Sequence, residues 1–188
     1  MGRNRETYWY ALKVFYHNME RVQKDFRQER YETFFPTTLE KKVSKGVEAY
    51  VEMPVIPSLL FVKCTAKALK AYKQDHQSSF MFYPEPGTNN PGKIDDAEME
   101  NFKKALSAPK REVKFLGEDN PTFRTGEKVR VTGGDYQGVE GYIKRIDRNK
   151  RVLVCITGVA VVMLSYIHPK YLEPIEAPSQ EQKQENTI

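Results

Sequence analysis

The sequence contains few residues that could carry out catalysis or hold a metal ion. Its 188 residues include two cysteines and three histidines. Cys64 and Cys155 lie in different parts of the chain, so neither a disulfide framework nor a CxxC metal site can form. The histidines are not spaced with a cysteine or carboxylate as metal ligands are, and phosphate-binding glycine loops and nucleophile-elbow motifs are missing. We therefore predict no catalytic residue, no metal and no cofactor.

A long apolar run is also missing. No stretch of the sequence approaches the roughly 18 apolar residues that a transmembrane helix needs, and the first six residues include two arginines and a glutamate. A charged start of this kind is not typical of a secretory signal peptide. We therefore expect a cytoplasmic protein with no membrane partner.

Neither sign of charge dominates the chain. Lysine and arginine number 30 against 25 acidic residues, which gives a formal net charge of +5. This excess is compatible with a polyanionic partner but does not establish one. Residues 1–110 and 122–175 each carry a net charge of +4, whereas the segment between them and the end of the chain are acidic. Aromatic residues make up 12% of the chain, more than disordered chains contain, so we expect two small, basic, folded domains.

The first of these is predicted over residues 6–109 as an α+β domain. Apolar runs rich in aromatic and β-branched residues predict buried strands, and apolar residues at helical spacing predict helices. Strands are expected at 8–15, 55–62 and 80–83. Helices are expected after Asn18 as N-cap, at 66–77, and after Asp95, where Glu98 completes a capping box. This order indicates an α/β sandwich in which helices pack on a mainly antiparallel sheet.

Residues 122–175 show a different pattern. Short β-branched runs alternate with glycine-containing turns, a spacing typical of a small five-stranded β-barrel. The β runs are 127–131, 139–146, 152–156 and 160–164. Residues 110–121 are predicted to form a linker. The polar segment 176–188, rich in glutamine and glutamate, is expected to be a disordered tail.

The most specific motif lies at residues 126–142, which read G-E-K-V-R-V-T-G-G-D-Y-Q-G-V-E-G-Y. This segment resembles the KOW motif, and residues 123–174 as a whole resemble the KOW barrel that ends NusG-type transcription factors. The glycines are expected to build the barrel rather than to contact a partner, because tight corners need glycine's backbone freedom. They are Gly133, Gly134, Gly138 and Gly141.

The first half then resembles the NusG N-terminal (NGN) domain. The resemblance is carried by Trp-Tyr at 9–10, Phe-Pro at 35–36 and the proline-centred run at 54–62. It implies that an apolar surface docks onto the β′ clamp helices of RNA polymerase and that the domain reaches across to the β subunit. The residues it assigns to this surface are Trp9, Tyr10, Phe35, Val55, Ile56, Leu59 and Phe61. The alternative for Trp9 and Phe61 is a place in the core.

One departure indicates a specialised member. Residues 57–59 read Pro-Ser-Leu, where general NusG factors usually have Pro-Gly-Tyr. The segments 8–15 and 54–62 resemble UpxY-type paralogues, the antiterminators of capsular polysaccharide operons. This resemblance implies operon-specific antitermination, with a second protein partner for the KOW barrel. The alternatives are a general NusG factor and a KOW-containing RNA- or ribosome-binding protein.

The resemblance to specialised paralogues also implies a contact with nucleic acid in the elongation complex. The expected partner is non-template DNA or nascent RNA. In the helix after Asn18, a rotation of about 100° per residue places a mostly basic ridge opposite the apolar stripe. Arginine and lysine can hold phosphate, and histidine or glutamine can reach base edges. The candidate nucleic-acid-binding residues are Lys13, His17, Arg21, Lys24 and Gln28. The alternative is a solvated helix face.

Overall fold

A computed structural model describes residues 6–108, 113–119, 121–146 and 148–175, without the side chains of Tyr16 and Pro121. The predicted tail and part of the predicted linker, residues 110–112 and 120, lie outside the described residues. The strands are β1 (Tyr8–Val14), β2 (Glu32–Phe34), β3 (Thr37–Ser44), β4 (Val47–Pro54), β5 (Leu59–Cys64), β6 (Phe80–Phe82), β7 (Val113–Gly117), β8 (Lys128–Val131), β9 (Glu140–Ile146), β10 (Asn149–Ile156), β11 (Ala160–Leu164) and β12 (Leu172–Pro174). The α-helices are α1 (Met19–Gln28), α2 (Ala66–Asp75) and α3 (Asp96–Leu106).

The first sheet has the strand order β2-β5-β1-β6, and every pairing in it is antiparallel. Side chains alternate between its two faces, as they must in extended strands. Tyr10 and Leu12 belong to an apolar cluster with α1 and α2, whereas Trp9 and Phe61 belong to a second cluster with α3. The predicted arrangement of helices on an antiparallel sheet is confirmed.

The starts of α1 and α3 differ in how they are capped. The Asp95 side chain accepts a hydrogen bond from the Glu98 amide at 2.7 Å, which is one half of the predicted capping box. The reciprocal bond is not formed, because the Glu98 carboxylate accepts from the Thr157 amide instead of the Asp95 amide. Asn18 makes no such bond, so its predicted role as a side-chain cap is wrong. Its side-chain amide instead donates to the carbonyl of Phe15 at 2.7 Å. A short 3-10 turn, Tyr16–Asn18, precedes α1, so Asn18 has helical backbone angles (φ −86°, ψ −7°) instead of the extended ones typical of a capping residue.

Strands β3 and β4 form a two-stranded ribbon that the sequence pattern does not reveal. They pair only with each other within the described residues, and almost every residue from 39 to 52 is exposed. Lys45 and Gly46 connect them, both at positive φ, which suits the two-residue turn of a hairpin. The alternation of apolar and polar residues is weak because neither face is buried.

The second sheet has the order β12-β8-β9-β10-β11-β7 and is antiparallel throughout. Its central strands match the predicted β runs. Strand β7 lies inside the segment predicted as a linker and pairs with β11. The end strands β7 and β12 are not hydrogen-bonded to each other in the described part of the chain. A closed barrel requires that pairing, so the predicted closed five-stranded barrel is not confirmed.

Candidate functional site

The seven apolar residues predicted to dock onto a partner do not form one exposed surface. Trp9, Leu59 and Phe61 are at most 1% exposed and lie on the face of the first sheet that α3 covers, together with Ile56. Tyr10 lies on the opposite face, in the cluster with α1 and α2. The half-buried residues Val55 and Phe35 pack against the first and the second of these clusters respectively.

Helix α3 and a lysine close the face around Trp9. The Lys103 ammonium lies 4.3 Å from the centre of the Trp9 ring and forms ion pairs with Glu32 at 3.1 Å and Glu100 at 3.0 Å. Burial disfavours the charged lysine, but the hydrogen bonds to Glu100 and Glu32 outweigh it and raise the pKa of Lys103. The lysine therefore stays charged while its ammonium lies over the indole ring as a cation–π contact.

The same helix joins the two sheets. The Asn101 side chain donates to the Glu140 carbonyl at 2.8 Å and accepts from the Glu140 amide at 2.7 Å. One turn earlier, the Glu98 carboxylate accepts from the Thr157 amide at 2.6 Å. The amide of Asn101 thus pairs with β9 much as a neighbouring strand would. The apolar cluster around Phe61 continues through α3 into the second sheet, where it includes Val129.

Replacing Asn101 with alanine is expected to lower the free energy of unfolding by about 1–3 kcal/mol, because both main-chain groups of Glu140 lose their partner. Denaturant unfolding measures the loss, and faster hydrogen exchange at the Glu140 amide would place it at this contact. The matched control is Asn90→Ala, which removes an exposed acceptor of Lys70 and should change stability by less than about 0.5 kcal/mol. Equal effects of the two substitutions would contradict the role of Asn101.

The predicted basic ridge is only partly assembled. His17, Lys24 and Gln28 are exposed on α1 or directly before it. Arg21 is held by neighbouring side chains, since its guanidinium donates to Ser79 Oγ at 2.5 Å and to Asn18 Oδ1 at 2.9 Å. Lys13 is exposed, but its side chain lies on the same face of the sheet as Trp9, away from α1. Its Nζ lies 4.0 Å from Glu118.

Arg27 is a basic residue that the ridge prediction left out. It lines a shallow surface depression together with Lys24 and Gln28, and its Nε donates to Thr33 Oγ1 at 2.9 Å. Its position three residues after Lys24 was the available signal, because residues three apart are neighbours on a helix surface. The cationic surface of α1 is therefore best described by Lys24 and Arg27.

Several basic residues of the second sheet already have acidic partners. Arg130 and Lys128 both contact the Glu140 carboxylate, at 2.6 and 3.3 Å, and the hydrogen bond from Arg130 is the main cause that lowers the pKa of Glu140. Arg124 pairs with the buried carboxylate of Asp119, which also accepts from the Gly158 amide at 2.9 Å. Exposed basic side chains on β9, β10 and the turn between them are Arg145, Arg148 and Lys150.

The described residues contain no arrangement suited to metal binding or thiol chemistry. No group of three or more His, Cys, Asp or Glu side chains is placed to hold a metal in this part of the chain. Burial raises the pKa of Cys64 to about 12 and that of Cys155 to about 11. Both thiols therefore stay protonated near neutral pH, and a protonated thiol is a poor nucleophile.

Comparison with known proteins decides the family. A family model described as "NusG: Transcription termination factor nusG" matches residues 7–103, just over half of the 188 residues. The chain belongs to the NusG family. It is accordingly a transcription factor of the NusG type, and its family is non-enzymatic and binds RNA polymerase. The matched residues span the whole first sheet and most of α3.

A solved structure titled "Domain interaction in Thermotoga maritima NusG" is similar to this NusG-family chain with 18% sequence identity and a TM-score of 0.45. The similarity covers 91% of this chain and 98% of the Thermotoga chain. No curated protein matches the chain. None of the helices in the described residues is long and apolar enough to span a membrane.

Proposed function

We propose that this NusG-family factor binds the β′ clamp helices of RNA polymerase through the apolar residues on the α3 side of its first sheet. The observation that carries this proposal is the cluster of Trp9, Ile56, Leu59 and Phe61, with the half-buried Val55 at its edge. Apolar anchors in a groove are the usual way to recognise paired helices. Tyr10 and Phe35 lie in the other cluster and are left out of this surface. Contact with the β subunit stays part of the proposal.

The proposed surface is largely covered in this conformation. Trp9 and Phe61 lie beneath α3, and the contact of Asn101 with Glu140 holds α3 against the second sheet. Of the residues proposed for this surface, Val55 is partly accessible, and the adjoining Pro57 is exposed. Val55→Glu places a charge at this edge, and we expect it to weaken capture of purified β′ clamp helices by about tenfold, since burying an unpaired charge is costly. The control Val47→Glu adds the same charge to the exposed hairpin.

Two outcomes of this binding experiment are informative. Unchanged binding by Val55→Glu, measured with a variant whose melting temperature matches that of the original chain, would contradict the proposed surface. Recovery of ribosomal RNA without polymerase in a pull-down from cells would instead favour the alternative of an RNA- or ribosome-binding protein. That alternative is supported by the exposed side chains Arg145, Arg148 and Lys150.

Nucleic-acid contact is proposed for the exposed surface of α1. Lys24 and Arg27 can each neutralise one phosphate of non-template DNA or nascent RNA, and His17 and Gln28 can reach base edges. Arg21 supports this surface through its bond to Ser79, and Lys13 lies on the other sheet face. The test measures binding of the elongation complex at several salt concentrations and plots the logarithm of the association constant against the logarithm of the salt concentration. We expect Lys24→Ala to make the negative slope of this plot shallower by about 0.7–0.9, because one phosphate contact is lost. An unchanged slope would remove Lys24 from the contact.

The biological role that we propose is operon-specific antitermination of the UpxY type, in the cytoplasm, with a second protein partner bound by the KOW-like sheet. By binding the elongating state of polymerase more tightly than the paused state, the factor would shift that equilibrium by its difference in affinity. The departure from Pro-Gly-Tyr at residues 57–59 supports this role. Transcription of a candidate polysaccharide operon with purified polymerase tests it, and equal suppression of pausing on unrelated templates would favour a general factor.

A further inference from the structure

A groove of about 500 Å³ lies between the C-terminal half of α1 and the outer side of α2. The groove has an aromatic wall. The Tyr72 ring is 4.6 Å from Phe26 and 4.2 Å from His76, centre to centre, and Tyr31 packs edge-on against Phe26 at 6.3 Å. Two alanines of α2, Ala68 and Ala71, also line the groove, and their short side chains occupy little of it. The groove therefore combines an aromatic wall with small apolar side chains, and its volume can receive a side chain from a partner.

The rim of the groove carries negative charge only. Asp25, Glu29 and Asp75 line it, and no lysine or arginine does, although the whole chain has a net charge of +5. Asp25 accepts a hydrogen bond from the Tyr72 hydroxyl at 2.6 Å. The exposed carboxylates of Glu29 and Asp75 make no hydrogen bond or ion pair with any residue that the structure describes. These two carboxylates are thus available to a cation.

Arg21 lies four residues before Asp25, one turn earlier on α1, and it does not fill this role. Its guanidinium is held by Asn18 and Ser79, and it does not line the groove. The charged side chains that line the groove are therefore the three carboxylates. Such a site repels phosphate groups, so a nucleic acid is a poor occupant.

We propose that this groove binds a basic segment of another protein, with an arginine side chain against the aromatic wall and its guanidinium paired with Glu29 or Asp75. Arginine combines an apolar stem with a planar cation that stacks on aromatic rings and binds carboxylates with two parallel hydrogen bonds. Both halves of that side chain have a counterpart in the groove. The acidic residues 176–188 of this chain, with a net charge of −2, do not have the required charge. The proposal does not depend on polymerase binding by the other face of the sheet.

The test titrates the purified full chain with a capped peptide of sequence Ala-Leu-Arg-Ala-Leu-Arg and follows backbone amides by NMR. The expected result is saturable shifts at Ala71, Tyr72 and Glu29, with none on the β3–β4 ribbon. A matched peptide with citrulline in place of arginine keeps the shape but lacks the charge, and it should bind about tenfold more weakly because charge-assisted pairing is lost. Equal binding of the two peptides would overturn the proposal.

Variants of the chain separate charge from shape. The double substitution Glu29→Gln and Asp75→Asn should weaken binding of the arginine peptide about five- to tenfold. Its control, Glu20→Gln with Glu40→Gln, makes the same change in net charge outside the groove, and an equal loss there would contradict a local site. Ala71→Leu fills the groove without a charge change and should weaken binding as well, while an unchanged melting temperature shows that the fold is intact.

Two other occupants would also be detected. If the peptide binds only after residues 1–5 are removed, the groove belongs to the two arginines of that segment, and the assignment to another protein is wrong. If the shifts at Ala71 and Tyr72 depend on protein concentration in the absence of peptide, a second copy of the chain is the occupant, which equally overturns the proposal.

Discussion

Phe61→Ala is expected to lower the free energy of unfolding by about 3–5 kcal/mol. Phe61 is fully buried, with its ring 5.7 Å from Phe102 of α3 and 6.2 Å from Phe34 of β2. The substitution would remove a ring that packs between β5, α3 and the edge strand β2. It would leave a cavity, because these three elements cannot all shift inward to fill the space. Chemical denaturation with circular dichroism measures the loss.

This result bears on function because Phe61 also belongs to the proposed polymerase surface. If Phe61→Ala destabilises the chain as expected, a loss of polymerase binding in that variant reflects unfolding and not a lost contact. The matched substitution is Val55→Ala, which shortens a half-buried side chain at the edge of the same cluster and should cost less than about 1.5 kcal/mol. A loss below about 1 kcal/mol for Phe61→Ala would show that the ring is not a core residue.

The secondary structure of residues 6–108 follows from the sequence where burial is continuous along a strand or where a helix end has a local capping signal. Strands β1 and β5 are recognisable because almost every residue in them is buried. They are buried because they pair with each other in the middle of the sheet. The start of α3 is recognisable because Asp95 and Glu98 form a local pattern that needs no tertiary contact. Such a signal depends on residues that are close in sequence, so it can be recognised without knowing the tertiary structure.

The elements that sequence reasoning missed depend on contacts distant in the chain. Strand β7 has five residues and reads as a charged linker, because only its pairing with β11, more than forty residues later, makes it a strand. The same holds for the candidate docking residues. Consecutive positions such as Trp9 and Tyr10 must lie on opposite faces once β1 is a central strand, so a strand-like pattern already argued against placing both on one surface. The position of α3 over Trp9 had no local signal.

The glycines of residues 126–142 are expected to be needed for different reasons, and Gly141 and Gly138 test this. Gly141 lies in β9, where an added Cβ would sit 2.4 Å from the Leu153 carbonyl oxygen and 2.7 Å from a methyl group of Val152. The first of these is main chain of the paired strand β10 and cannot turn away as a side chain could. Gly141→Ala is therefore expected to cost about 3 kcal/mol of the free energy of unfolding, at the upper end of overpacking effects.

Gly138 provides the matched comparison, because its Cβ position is open and only its backbone is unusual. Its φ is +83°, and apart from its two chain neighbours no heavy atom of the described residues lies within 4 Å of an added Cβ. Gly138→Ala should cost about 1–2 kcal/mol through the left-handed backbone alone, and Gly138→Asn should cost less because asparagine tolerates that region. Gly141→Asn should be no milder than Gly141→Ala, since the obstacle there is space. The two sites thus predict different responses to asparagine, measured by thermal or denaturant unfolding.

If both glycines tolerated alanine without loss of stability, the interpretation of this motif as structural would be wrong. Its glycines would then be candidates for contact with the proposed partner of the second sheet.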